Sequence, residues 1–158
     1  MRKAGALVVT DEANRLMGND HFKRVNDTYG HDAGDTVLRA MSSMLIREFR
    51  SIDLVGRLGG EEFAVVFPET THEGAKIASD RLLSCIQAAN TLVDGQQINI
   101  TVSIGLARVT SNTLDGAAIL KRVDALLYMA KTLGRNRIIV KGDSEDFGAS
   151  ECSAAVKK

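Results

Sequence analysis

The chain has 158 residues, enough for one compact domain with its own core and hardly for two. Hydrophobic residues make up 44% and charged residues 25%, a balance that excludes a wholly disordered chain, a collagen and a disulfide miniprotein. Lys and Arg number 20 and Asp and Glu number 20, so general polyanion binding is excluded, DNA is not an expected partner, and any phosphate must be held by a local site.

In chain order, the apolar run Ala4–Thr10 predicts a buried strand. Residues 11–28 read as polar and irregular, with Phe22 and Val25 able to pack. A helix is predicted from near Ala33, because Val37, Met41, Met44 and Leu45 recur on one stripe. Leu54–Leu58 and Glu62–Phe67 predict two strands joined through Gly59-Gly60 as a hairpin. A second helix is expected over Thr71–Asn90, burying Ala75, Ala78, Leu82, Ile86 and Ala89. Gln97–Ala107 alternates as a strand with Ile98, Ile100, Val102 and Ile104 on one side. A third helix over Leu114–Leu133 would bury Leu120, Val123, Leu127 and Ala130 and close at Gly134. Arg137–Lys141 predicts the last strand, so residues 1–141 form a single domain and residues 142–158 a flexible tail.

Two β-α-β-type units sharing one sheet bury every one of these faces, which predicts an α+β fold with a ferredoxin-like, mostly antiparallel core. Cys85 and Cys152 read as free thiols of a reducing compartment. No early apolar run is long enough to span a bilayer, so a cytoplasmic domain without direct membrane contact is expected. It would also suit the cytoplasmic end of a membrane-tethered protein.

Gly59-Gly60-Glu61-Glu62-Phe63 is the sharpest local feature. Two glycines permit positive φ and close approach of a ligand, while two adjacent carboxylates repel unless water or a cation relieves them. Strand alternation sends Glu61 and Glu62 to opposite sides, so at most one faces a given metal. Taken alone, this reads equally as a solvated turn. The run from Asn19 to Asp35 adds acids, amides and Lys23 ahead of a helix. Side chains that donate and accept side by side suit the edge of a purine. Singly, Asp35 could serve the helix dipole and His31 a turn.

The run Phe22-Lys23, Asn26-Asp27, Gly30-His31 and Gly34-Asp35, followed by Arg57-Leu58-Gly59-Gly60-Glu61-Glu62-Phe63, resembles the GGDEF family of diguanylate cyclases. Arg122–Lys131 and Gly134-Arg135-Asn136 are similar to its C-terminal signature, so the likeness runs from about Asp20 to Val140. The resemblance implies a nucleotide-cyclase palm with a central sheet of roughly five strands flanked by helices. It implies condensation of two GTP into cyclic di-GMP with release of pyrophosphate. It implies that Asn26 and Asp35 read guanine with His31 close by, and that Lys23, Lys131 and Arg135 hold phosphates. Glu61 would bind Mg²⁺ (or Mn²⁺) and help activate the 3′-hydroxyl, with Glu62 as the second acid. Since one domain holds one GTP, catalysis implies a two-fold homodimer. Arg50-Ser51-Ile52-Asp53 resembles the family's inhibitory product site, with Arg81 at the matching helix position; otherwise Arg50 and Asp53 are a surface ion pair worth under about 1 kcal/mol. An N-terminal sensory region in a longer protein is also implied.

The pattern departs from the family at its first metal ligand. The register puts Gly18, which has no side chain to offer a cation, where the family has Asp, followed by Asn19, whose backbone is the candidate ligand, and Asp20. Either Ala6–Thr10 is the first strand, Asp11 the metal ligand and residues 13–19 an insertion, or Thr10–Arg15 opens the domain and a helix and strand are lost after it. Losing a central strand would leave ladder groups unpaired, which favours the insertion. If Asp11 does not serve, Glu61 must anchor metal alone, and the domain becomes a cyclic di-GMP or GTP receptor. A mononucleotide cyclase on a related fold fits less well, because Gly59–Phe63 and the Arg50–Asp53 pattern point to the dinucleotide.

Overall fold

In the computed structural model of the chain the described residues are 5–14, 21–93, 95–109 and 116–141, with the side chains of 5–14, His21 and Arg24 excepted. Gly18, Asn19, Asp20, Cys152 and the expected tail lie outside the described residues. The chain runs through β1 (Gly5–Asn14), α1 (His21–Tyr29), α2 (His31–Glu48), β2 (Leu54–Gly59) and β3 (Glu62–Phe67). It continues through α3 (His72–Ala88), β4 (Thr91–Val93), β5 (Gln96–Ile98), β6 (Ile100–Val109), α4 (Gly116–Thr132) and β7 (Ile138–Lys141).

Five strands form one sheet in the order β2-β3-β1-β6-β7, antiparallel except for the parallel β6–β7 edge. The expected α+β architecture is therefore the observed one. β1 is its centre, bonded to β3 on one side and to β6 on the other. It extends to Asn14, so Ala13 and Asn14 continue the strand rather than begin an insertion. A central strand is present, and the reading in which one had been lost is set aside by the ladder itself.

The sheet is covered unequally on its two faces. Phe63, Val65 and Phe67 of β3, with Val102, Ile104 and Leu106 of β6, form one core with Val37, Met41 and Leu45 of α2 and Ala75, Leu82 and Ile86 of α3. Phe49 meets Phe67 edge-on at 5.1 Å between ring centroids. On the other face α4 lays Val123, Leu126 and Leu127 against Ala107, with Ala64, Val66, Ile119 and Ile139 partly buried beside them. With helices on both faces, β6 is buried from Ile100 to Ala107, so the expected one-sided alternation gives way to burial of every residue.

Several expectations need correction. Residues 21–29 are helical, not irregular: Phe22, Val25 and Tyr29 lie at helical spacing and pack into the core, Val25 with 2% exposure. Helix α2 consequently starts at His31, after Gly30, and Asp32 rather than Asp35 occupies its first turn. Between α3 and β6 the chain folds a separate small hairpin, β4 with β5, and Asn99 breaks the strand expected to be continuous. Leu120 is 38% exposed instead of buried, because Ile119 is the residue in helical step with Val123 and Leu126. Ser79 joins the buried face of α3 by returning its hydroxyl to Ala75 O at 2.8 Å.

Candidate active site

The β2–β3 hairpin carries the two acids. Gly60 sits at φ +52°, a left-handed position that suits glycine, and Arg57 clamps the turn by donating Nε to Gly60 O at 2.8 Å. Glu61 lies in the turn, half-buried, and Glu62 opens β3 exposed. Arg57 belongs to the motif, yet its role as the clamp of this turn was not read from its residue type.

Across the sheet, Asp11 of β1 lies opposite Glu62 of β3 and, on its other side, opposite Ser103 of β6. One row at one end of the sheet therefore holds Glu62, Asp11 and Ser103, all in register with the face that α4 covers.

Two helices bring the expected guanine readers together. Asn26 on α1 is half-buried, and its side chain lies over Gly34 of α2, one residue from Asp35. A Cβ at Gly34 would fall 1.9 Å from Asn26 Oδ1 and 3.1 Å from Phe22 Cζ, so only glycine allows this approach. Lys23, His31 and Asp35 are exposed on the same helix pair. The sequence motif contained Gly34, but its function as the seat of Asn26 is a tertiary fact.

The last group arrives from α4. That helix runs back along β6 and delivers β7 parallel beside it; Arg137 O accepts from Ile104 N at 2.9 Å. The C-terminal turn of α4, with Lys131, thus returns to the end of the sheet that carries the acid row. Gly134, Arg135 and Asn136 follow at φ +110°, +58° and +50°, and Arg135 N closes the helix on Ala130 O at 2.9 Å. Two non-glycine residues in left-handed conformation cost of order 1 kcal/mol each, and such strain gathers at functional loops. Burial, and then the neighbouring Arg135, lower the Lys131 pKa from its ordinary 10.5. An anion bound between the two cations would relieve both effects.

The expected product site stands apart, at the other end of α2. Asp53 is buried: its Oδ1 accepts from an Arg50 terminal nitrogen at 2.8 Å and its Oδ2 from the Arg50 backbone N–H at 2.8 Å. The bond to Asp53 raises the Arg50 pKa further. This is no exposed ion pair, since one carboxylate closes the turn and fixes the guanidinium, which also donates to Thr70 Oγ1 at 2.5 Å. Arg81 is held at the end of α2 by Glu48, through Nε to Oε2 at 3.3 Å and a second bond to the Glu48 carbonyl. Asp35 and Glu48 are about 20 Å apart along the helix at 1.5 Å per residue, so the two sites do not share side chains.

Comparison with known proteins agrees with this geometry. Residues 15–137 match the model of the family described as diguanylate cyclase, GGDEF domain. The chain is 40% identical over 121 residues to diguanylate cyclase DgcP of Pseudomonas aeruginosa, which covers 77% of the chain and 18% of that protein. It is 39% identical over 128 residues to response regulator PleD of Caulobacter vibrioides, covering 80% of the chain and 28% of that protein. The chain thus spans well under half the length of either relative. The crystal structure of the GGDEF domain of DgcB from Caulobacter crescentus with c-di-GMP superposes with a TM-score of 0.77 at 31% identity, over 87% of this chain and 77% of that one. The matched length, the five-stranded palm and the acid-bearing hairpin agree, and the chain belongs to the GGDEF family of diguanylate cyclase domains.

Proposed function

We propose that this domain is a working diguanylate cyclase, condensing two GTP into cyclic di-GMP and two pyrophosphates. The observation that carries the reading is the register of β1, which sets Asp11 opposite Glu62 although Gly18 occupies the family's usual metal position. An acid is thereby returned to the row by a different stretch of chain.

The donor set fits a divalent cation. Glu61 and Asp11 are the acids taken to offer carboxylate oxygens, which suit Mg²⁺ or Mn²⁺, and the buried Ser103 hydroxyl, in the ladder row of Asp11, has no hydrogen-bond partner. Among the described side chains no group of three His, Cys, Asp or Glu comes together. Asn19, whose backbone carbonyl would be a further ligand, lies outside the described residues. When bound, the cation offsets phosphate charge and lowers the cost of the developing alkoxide.

The chain's own residues supply the rest. Asn26 and Asp35 read the guanine edge, with His31 beside the nucleotide. Lys23, Lys131 and Arg135 hold the phosphates, and the last two add charge where pyrophosphate leaves. Glu61 and Glu62 orient the 3′-hydroxyl and assist loss of its proton as its oxygen attacks the α-phosphorus of the facing GTP. Each domain contributes one GTP, so the reacting unit is a two-fold homodimer. Arg50, Asp53 and Arg81 bind the product and restrain the enzyme, their pre-formed hydrogen bonds supporting a docking site already in shape. A cytoplasmic location and an N-terminal sensory region belong to the same reading; among the described residues no helix is long and apolar enough to cross a membrane.

The second reading, a receptor for cyclic di-GMP or GTP without turnover, is favoured by Gly18 alone. Incubation with GTP and Mg²⁺, followed by chromatographic separation of nucleotides, decides between them. Cyclic di-GMP from the wild type and none from Glu61→Ala is the expected outcome. No product at any protein concentration, with cyclic di-GMP still bound, would make the domain a receptor.

A further inference from the structure

The loop that follows α4 carries Arg135, and its backbone is held in a form that most residues avoid. Arg135 and Asn136 are both left-handed, at φ +58° and +50°. Both polar groups of the Arg135 backbone are engaged: its N–H donates to Ala130 O at 2.9 Å, and its carbonyl accepts from Arg137 Nε at 3.1 Å. A further bond ties this loop to a different helix. Gln87, exposed in the last turn of α3, donates Nε2 to Asn136 Oδ1 at 2.9 Å. Its root is rigid, because the preceding residue, Ile86, is fully buried in the core. Asparagine visits the left-handed region more readily than most residues, so its conformation does not by itself require a partner on α3. What the bond supplies is a fixed distance between the loop and the helix.

We propose that Gln87 is a positioning residue for the phosphate-holding loop, acting on Arg135 through Asn136 and resting on the cyclase reading above. The physical need is repulsion between cations. Arg135 lies close enough to Lys131 to lower its pKa, and like charges held together before an anion arrives push apart. Lys131 stands on the helix and Arg135 in the loop, so the loop is the part that yields. With the Arg135 backbone fixed at Ala130 and Arg137, the loop yields by swinging as a unit about the end of α4. Gln87 opposes that swing from the α3 side. The guanidinium is thereby kept where an incoming phosphate meets it, and less ordering remains to be done when the nucleotide binds.

The test is calorimetric titration of a non-hydrolysable GTP analogue with Mg²⁺ into wild type, Gln87→Met, Arg135→Ala and the double variant, with thermal melting of each. Methionine keeps the length and helix preference of glutamine and removes the hydrogen bond. We expect Gln87→Met to weaken binding about three- to tenfold, the fold-change equivalent to one net hydrogen bond. Its melting temperature should fall by no more than about 4 °C, because Gln87 is exposed. In the Arg135→Ala background the same change should cost less than about twofold, since the residue being positioned is gone. Unchanged affinity in Gln87→Met, beside a loss in Arg135→Ala, overturns the inference and leaves the cyclase reading standing. A larger fall in melting temperature, or an equal loss with and without Arg135, also overturns it, by making the bond a general brace between α3 and the loop. No loss in Arg135→Ala removes that arginine from the phosphates, and overturns the inference together with that part of the cyclase reading. A wild type that binds no analogue overturns both.

Discussion

At the scale of single residues, contacts invisible in the sequence set the properties of residues that were visible. Asn26 reads as a guanine ligand from its motif, but Gly34 decides where its amide lies. Gly34→Ala should cost little stability, because the obstructing atom ends a flexible side chain and alanine favours a helix by about 1 kcal/mol. Asn26 would nevertheless be displaced, so affinity for a GTP analogue, measured by calorimetry, should fall about tenfold or more, the worth of one good hydrogen bond to a base. Glu48 makes the opposite case, since its carboxylate competes with any phosphate for Arg81. The Arg81 side is exposed and the Glu48 side half-buried; with solvent on one partner the pair is worth about 1 kcal/mol, so Glu48→Ala should tighten cyclic di-GMP binding by up to about fivefold. Weaker binding in titration would instead show that Glu48 orients Arg81. Lys131 gives a pH signature. Its folded pKa lies below the ordinary 10.5, so the unfolded chain holds that proton more tightly. The charge therefore costs stability below the folded pKa, and the cost fades as pH rises from that value toward 10.5. Lys131→Met should gain stability over wild type at neutral pH, with the gain shrinking in denaturant titrations at alkaline pH.

At the scale of elements, helix α4 is placed by its closest contact with the sheet. A Cβ on Gly105 would stand 2.6 Å from the Val123 carbonyl oxygen and 2.8 Å from the Leu127 amide nitrogen. These are backbone atoms and cannot swing aside. Gly105→Ala should lift α4 off β6 and destabilise the fold by about 1–3 kcal/mol, the range for overpacking, as read by urea unfolding. Because α4 also carries Lys131, the same change should lower nucleotide affinity, whereas Gly34→Ala should lower affinity alone. Three helices and the β2–β3 hairpin were foreseen within a few residues, since long periodic stripes and a Gly-Gly turn are strong local signals. Helix α1 and the β4–β5 hairpin were not. Among the described side chains of α1 the apolar ones packed into the core are Phe22, Val25 and Tyr29, too few to stand out among acids and amides. The strands of the small hairpin have three residues each and a periodicity too short to read.

At the scale of the whole molecule, the two expected sites occupy opposite ends of α2, the nucleotide end at His31–Asp35 and the product end at Glu48–Asp53. A rigid helix of 18 residues can thus separate substrate from product recognition within one domain. Arg50→Ala should relieve product inhibition while leaving initial turnover intact, because the proposed substrate contacts gather at the other end of α2. An unchanged inhibition curve would return Arg50 and Asp53 to the purely structural task of closing the turn after α2. Turnover should rise more steeply than linearly with protein concentration, since the proposed reaction joins two facing domains. Linear dependence down to nanomolar protein would mean that the dimer is permanent.

The sequence by itself determined the fold class, the acid-bearing hairpin and the family, because apolar periodicity and closely spaced polar motifs are local properties. It determined neither which stretch of chain is the central strand nor whether Asp11 meets Glu62. Both depend on strand register, and a shift of one residue would carry every side chain of β1 to the other face. That choice was made only in the tertiary structure, by β1 bonding to β3 and β6 at once. With both neighbours in place, the ladder sets Asp11 opposite Glu62 on one side and Ser103 on the other.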